Sequence, residues 1–308
     1  MRAILAALRS PAYWRHGFSL TRASGALLSS FGAMWLFAEI ASFFSQDVGN
    51  WLRRQWLPFL VLGIVGALWQ NRPRVRFACR LTGRDVVIEI RVGSMFDLPG
   101  ALVIGSNISF DTDTSNGLIS LQSVQGQFTK KCYTSVAHLD ADLNAALHGV
   151  APESVSATKK GKPEIYRIGT TVHVVANGRR AYFVGIATMN DHGVANGSFE
   201  DLKTSLPILW DYIATKGGDF QPLVVPVLGS GFSRLPQPRE EIIRAIVNSF
   251  IAACSSSRPT ERMTVVIPFK DFYEHQVDLI ELERYVQHVC RYTEYRDAGA
   301  VGAGTALA

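Results

Sequence analysis

Residues 23–44 form a run of 22 residues with a single charge, Glu39. A helix of that length, rising ~1.5 Å per residue, crosses the ~30 Å of hydrocarbon in a bilayer. A second apolar run, residues 56–69, has 14 residues and reaches only ~21 Å, extended where Leu52 joins it and Arg53 and Arg54 snorkel. Trp51, Trp56 and Trp69 sit at the ends of that run, where an aromatic belt places them. Four arginines precede the first run and Arg72, Arg74, Arg76 and Arg80 follow the second, against two in the connection 45–55. The positive-inside rule then sets both termini in the cytoplasm. The pattern predicts a multi-pass hairpin of the cell inner membrane over residues 23–72, with spans at about 23–44 and 53–70. A basic cytoplasmic segment, 1–22, precedes it and a basic linker, 73–84, follows. A cleaved signal peptide or soluble core helices also contain apolar runs; the long leader disfavours the first and the arginine bracket the second. Gly25, Ser29 and Ala33 recur every four residues, and the second run carries small residues at Gly63 and Gly66, patterns that let helices approach closely. Glu39 is costly near a membrane centre, by ~2.5 to 3.5 kcal/mol, and less toward an end.

Charge is unevenly distributed. Residues 1–84 carry eleven arginines, no lysine and two acids, a net +9, whereas the remainder is net −4 although the whole chain is +5. A mildly acidic C-terminal part does not hold a polyanionic nucleic acid. The four cysteines, Cys79, Cys132, Cys254 and Cys290, lie far apart with no CxxC, which excludes a disulfide scaffold and a zinc ribbon and leaves reduced, mostly buried thiols. No metal, cofactor or catalytic residue is expected.

From Val86 onward short β-rich runs alternate with helix-periodic ones, which predicts a three-layer α/β/α sandwich. Residues 86–92 and 101–106 read as strands, and 123–147 as one helix. Residues 165–175 and 181–187 read as a hairpin about Asn177-Gly178. Ser198 caps a helix over 199–216 that stops at Gly217-Gly218. A strand at 222–228, a loop at 229–235, a helix at 238–254, a strand at 263–269 and a helix to about 289 complete the domain, 85–292. Residues 293–308, rich in Ala and Gly, read as a loose tail.

Two loops stand at strand ends, where ligands collect in α/β folds. Leu228-Gly229-Ser230-Gly231-Phe232-Ser233 offers backbone N–H groups to an anionic diphosphate. It lacks the dinucleotide fingerprint, because Arg234 takes the third glycine position, and it has neither a Gly-Lys-Ser/Thr ending nor GxSxG. The second loop, 107–117, is dense in short polar side chains suited to turns and hydroxyl recognition.

Together these stretches resemble the macro domain, an ADP-ribose-binding module. Ile90-Arg91-Val92-Gly93-Ser94 and Ala101-Leu102-Val103-Ile104-Gly105-Ser106-Asn107 are similar to its first two strands. The resemblance implies that Asn107 faces the distal ribose, that residues 228–232 form the second phosphate loop, and that Phe269 lies beside adenine. Ser94 departs from the family, many members of which carry there an aspartate that holds the adenine amine. More narrowly, Phe110-Asp111-Thr112, Gly117-Leu118-Ile119-Ser120 and Ser123-Val124-Gln125-Gly126-Gln127-Phe128 resemble the divergent macro domain of type II Thoeris antiphage effectors, which also carry two membrane spans. That resemblance implies ligand contacts at Asp111, Thr112, Gly117, Ile119, Ser120, Ser123 and Gly126. It also implies a partner TIR-domain enzyme whose product, histidine-linked ADP-ribose, drives the chain to self-associate and disrupt membrane lipid in abortive infection. The first loop holds one glycine and bulky Phe110, unlike the glycine-rich loop of hydrolytic members, so binding is expected over turnover. His138, His173 and His192 lack a carboxylate partner at readable spacing. A membrane-tethered ADP-ribosyl hydrolase is the alternative, and a membrane-anchored scaffold without a working site is a third.

Overall fold

The computed structural model describes residues 19–54, 56–71, 75–190, 192–217, 220–231 and 235–293. Most of the expected N-terminal segment, Phe232, Ser233 and nearly all of the expected tail fall outside them. The chain divides into two compact units, one ending at Val75 and one starting at Arg76.

In the first unit, α1 (Leu20–Phe44), α2 (Gln46–Arg54) and α3 (Trp56–Gln70) follow one another. Ser19 Oγ caps α1 by accepting from Arg22 N. The backbone N–H of Ser19 donates to Asn71 Oδ1 at 3.1 Å, so α1 begins where α3 ends and the two are antiparallel. Their seam is made of Ala23, Ala26, Leu27 and Ala67. A Cβ on Gly63 would come within 3.2 Å of Leu27 and one on Gly66 within 3.2 Å of Ser30, which is why the second run carries glycine there. The stripe Gly25, Ser29 and Ala33 is exposed instead. Only 6% of the most apolar window of α1 is buried, unlike a soluble core helix, and Leu28, Trp35 and Phe37 stay exposed. Among the described residues α1 alone is long and apolar enough to cross a membrane. The 15 residues of α3 reach ~22 Å.

The second unit is a mixed eight-stranded sheet in the order β1-β2-β10-β9-β3-β7-β6, with β8 beside β7. The strands are β1 (Arg76–Arg80), β2 (Val87–Val92), β3 (Ala101–Asn107), β6 (Thr171–Ala176), β7 (Arg179–Met189), β8 (Ala195–Asn196), β9 (Leu223–Pro226) and β10 (Arg262–Ile267), while β4 (Ser154–Val155) and β5 (Glu164–Ile165) pair with each other. Strands β2, β10, β9, β3 and β7 run parallel; β1 and β6 add antiparallel edges. Buried on both faces, β3 is apolar from Ala101 to Ile104, as a central parallel strand must be. On one face α4 (Val124–Cys132) and α5 (Val136–Leu147) cover the sheet, with Phe128, Leu139 and Leu143 packed on Leu102, Ile104 and Phe183. On the other lie α6 (Phe199–Lys216), α7 (Arg239–Ser256) and α9 (Leu279–Tyr292), with α8 (Phe269–Glu274) before α9. Trp210 of α6 meets Phe250 of α7 edge-on. Helices on both faces of one sheet make the expected three-layer sandwich.

The expected hairpin is present. Asn177 and Gly178 both take positive φ, 51° and 73°, the signature of a type I′ turn, and Ala176 pairs with Arg179. Ser198 caps α6 in a reciprocal capping box with Asp201. Several boundaries differ from the reading above. Residues 76–80, assigned to the linker, are an edge strand whose outward positions carry Arg76 and Arg80; two arginines on an exposed face hide a five-residue alternation. The single helix at 123–147 is two, because Ser135 caps a new helix by accepting from His138 N. The last helix also divides: Gln276 takes φ 52° and Asp278 restarts the helix by capping Ile280 and Glu281 N. Of the thiols, Cys254 and Cys290 are buried while Cys79 and Cys132 are half-buried, and all four are free. Burial raises the Cys254 and Cys290 thiols to about 11 and 12, so neither is a thiolate at neutral pH.

Candidate ligand site at the carboxyl edge of the sheet

Strands β3, β7, β9 and β10 all run parallel, so their carboxyl ends share one edge. There a cavity of about 550 Å³ is lined by Gly105, Ile186, Pro226 and Pro268 at those ends. A larger hollow of about 860 Å³ lies between α6, α7 and Tyr285, but no strand-end loop reaches it, and it is a groove of helix packing. The walls of the smaller cavity are residues 227–231, the first turn of α4 with Ser123 and Val124, and the α7 and α8 residues Arg239, Lys270, Asp271 and His275.

The loop after β9 is tightly folded. Ser230 Oγ donates to Val227 O at 2.6 Å, and Gly229, at φ 72°, has a Cβ position only 2.4 Å from Leu235 Cδ1, so a side chain there is excluded on both counts. Leu228 is buried. Gly231 is exposed, and its Cβ position meets nothing within 4 Å. Arg239, first residue of α7, donates from Nη2 to Ser230 O at 2.7 Å and also approaches His275 Nε2 at 3.1 Å, while its Nε lies 3.3 Å from Asp271 Oδ2. Across the cavity Ser123 caps α4, accepting from Gly126 N at 3.0 Å and donating to Ser120 O at 2.6 Å. A Cβ on Gly126 would sit 2.2 Å from Ser120 O, so this glycine is needed for the turn to close against α4. A helix N-terminus and a glycine loop on one cavity suit an anion; the cations there, Arg239 and Lys270, are ion-paired with Asp271 and Glu274 of the same wall.

The other loop is held by its own side chains. Asn107 is buried, and its Oδ1 accepts from Ser109 N and Asp111 N at 3.0 and 3.2 Å; its Nδ2 is buried without a partner among the described residues. Asn107 does not line the cavity. Asp111 is 1% exposed. Its Oδ2 pairs with Lys159 Nζ at 2.9 Å, its Oδ1 accepts from Lys162 N at 2.6 Å, and its carbonyl accepts from Gln125 Nε2 at 2.7 Å. Lys159 Nζ places its remaining protons on Lys160 O and Lys162 O, so the buried pair is fully bonded. Thr112 Oγ1 donates to Asp140 Oδ1 at 2.6 Å. Burial opposes the Asp140 charge, but Lys162, Thr112 and Asn144 all donate to it and hold its carboxyl below the usual carboxylate range. Asp113, bonded by Ser115 and Asn116, is likewise lowered. Gly117 takes φ 76° in the exposed turn, and Ile119, whose N–H donates to Asp113 O, is buried.

The structure therefore brings Ser123, Leu228, Gly229, Ser230 and Gly231 onto one cavity, with Ser120 and Gly126 just behind it. It places Asp111, Thr112, Gly117, Ile119 and Asn107 in the neighbouring loop and its bonds, off the cavity wall. Phe269 opens α8 half-buried and does not line the cavity. Sequence reasoning missed Arg239, Lys270 and His275, which belong to no motif, and Lys159, whose partner is 48 positions away. His173 bonds Tyr212 at 3.0 Å on the sheet's other face; burial and Arg180 lower it.

The sequence model described as "Thoeris protein ThsA, Macro domain" matches residues 88–268. The chain belongs to this ThsA macro-domain family. The match spans β2 from its second residue to the end of β10 and includes both loops, while Lys270, Asp271 and His275 of the cavity wall lie beyond it. No curated protein matches the chain. Among solved structures, the chain is similar to the Oceanobacillus iheyensis macrodomain with ADP, at 15% identity and TM-score 0.46 over 69% of this chain and 97% of that one. It is also similar to the Trypanosoma brucei macrodomain in complex with ADP-ribose, at 11% identity and TM-score 0.41 over 69% and 74%.

Proposed function

We propose that this ThsA-family chain is a membrane-anchored antiphage effector whose macro domain binds an ADP-ribose-derived signal, histidine-linked ADP-ribose, made by a TIR-domain enzyme. One observation carries the reading: in a macro-family fold, the loop 228–231 presents a glycine with an open face to a cavity that also receives Arg239, Lys270 and His275. A diphosphate takes charge-assisted bonds there, each worth ~1.5 to 3 kcal/mol. Residues 107–123 order the site from behind, with Asn107, Asp111, Thr112, Gly117, Ile119 and Ser120 acting through the loop, Ser123 at the cavity wall and Gly126 just behind it. Phe269 neighbours it from α8; the assignment of Phe232 and Ser233 to the phosphate loop lies outside the described residues. No cofactor is required. The domain binds rather than hydrolyses.

Anchoring rests on α1, exposed and long enough to span, paired antiparallel with a shorter α3 whose flanking residues snorkel or thin the bilayer. Both termini are cytoplasmic in this reading. Ligand shifts the chain toward a self-associated form that disrupts lipid, which requires differential affinity for the two states and not tight binding alone. Moving such an equilibrium from 1:99 to 99:1 takes ~5.5 kcal/mol.

The test is calorimetric titration of the detergent-solubilised full chain with ADP-ribose, histidine-linked ADP-ribose and NAD, with chromatography of each mixture for product. Tightest binding of the histidine-linked compound without turnover is expected; no binding of any rejects the reading, and turnover favours the hydrolase. Light scattering with and without ligand, dye leakage from loaded liposomes and resistance to alkaline carbonate extraction test association, disruption and anchoring.

A further inference from the structure

We infer that Arg239 is a positioning residue of the ligand site: by holding the carbonyl of Ser230 it fixes the Ser230–Gly231 peptide with its N–H available to an anionic diphosphate. The inference rests on the reading above and assigns a role to a residue outside every motif.

A trans peptide is planar, with its C=O and N–H pointing in opposite directions, and no peptide among the described residues is cis. Anchoring the carbonyl therefore anchors the donor on the other side of the same plane. Arg239 Nη2 takes Ser230 O at 2.7 Å. The guanidinium is itself held, by Asp271 Oδ2 at 3.3 Å and by His275 Nε2 at 3.1 Å, and its side chain is 11% exposed. Three elements, the loop after β9, the start of α7 and α8, thus converge on one cation. Gly231 lacks a side chain and, among the described residues, has no φ demand or neighbour that requires its absence, so the glycine leaves room for something outside the chain to reach the backbone. The first glycine of the loop is explained by folding and the second is not.

The arrangement separates two roles an arginine can have. As a bare charge near the ligand, Arg239 would be replaceable by lysine, which keeps the charge. As a positioning group it would not, because an ammonium on a flexible stem lacks the rigid guanidinium whose Nη2 meets the Ser230 carbonyl and the imidazole while Nε sits, ion-paired but without a hydrogen bond, beside Asp271. Asp271 already neutralises Arg239, which favours the second role. The titratable and charged groups facing it from the packed elements are Asp271 and His275, with Lys270, Glu274 and Glu240 nearby.

The experiment uses the full chain in detergent, with ADP-ribose and adenosine as probes. Arg239→Lys and Arg239→Ala are both expected to weaken ADP-ribose binding by tenfold or more while adenosine, which lacks the diphosphate, changes less than twofold. The thermal midpoint of Arg239→Lys should match the parent, which keeps the test valid where Arg239→Ala does not fold. ADP-ribose affinity of Arg239→Lys within twofold of the parent would overturn the positioning role, as would an equal loss for adenosine, which would mark a general structural effect. A parent chain that binds neither probe overturns the functional reading first.

Discussion

The loops after β3 and β9 leave the same edge of the same sheet, yet they are built on opposite principles. The first closes on itself: Asn107, Asp111, Thr112 and Asp113 spend their polar atoms on neighbouring backbone, on Lys159 and on Asp140. The second is short, glycine-rich and held from outside, through Arg239. A loop dense in hydroxyls and carboxylates reads as a binding loop, but the same groups serve equally to order a chain that has no regular hydrogen bonding. In the proposed reading the anion goes to the sparser loop, whose exposed glycine lies on the cavity wall.

Substitutions in the two loops should therefore fail differently. The largest effect is expected from Lys159→Ala, which strands a buried carboxylate at Asp111. Removing one partner of such a pair costs ~3 to 5 kcal/mol, to be read as a fall in the denaturation midpoint. Gly231→Glu should come next. It leaves the midpoint within experimental error, because its Cβ position is open, but adds bulk and negative charge where the diphosphate sits, so calorimetry on the folded variant should show affinity reduced about a hundredfold, or ~2.7 kcal/mol. Unchanged affinity would remove this loop from the site. Asn107→Ala leaves two loop N–H groups without their acceptor and should cost ~1 to 3 kcal/mol of stability, with a smaller loss of affinity than Gly231→Glu.

The smallest effect is a pH dependence. The folded carboxyl of Asp140 titrates below its ordinary value. Its stabilisation is accordingly complete above the unfolded value of ~3.9 and lost as pH falls through the folded one. Between pH 5 and 3 the parent should lose more stability than Asp140→Asn. Equal losses would show that the Lys162, Thr112 and Asn144 contacts do not form in solution.

How much was legible follows the range of the interactions. The Asn177-Gly178 turn and the Ser198 cap are written in two to four adjacent residues, and both appear where expected. The alternation of strands and helices was likewise readable, because each element buries its own face. The strand Arg76–Arg80 was hidden by its outward arginines. The break before Val136 turned on whether Ser135 would cap, which several nearby serines and threonines made ambiguous. Lys159 and Arg239 were out of reach of local reading: one finds Asp111 across 48 positions and the other finds His275 across 36. Such pairs exist only after the sheet has set the loops side by side.

The strand order has a consequence for synthesis. Val87 of β2 pairs with Arg262 of β10, and β9, which joins β3 to β10, is itself formed by residues near 225. Non-local pairing of this kind is slow to form, and here its last strand leaves the ribosome after almost every other element. Throughout that interval β2 is not joined to β3, because β10 and β9 both lie between them, and the edge bearing the cavity is incomplete. The apolar helix α1, by contrast, precedes every strand of the sheet. A nascent chain of this topology thus exposes α1 long before the cavity-bearing edge is complete, so a ligand site on that edge exists only once β10 has emerged and paired.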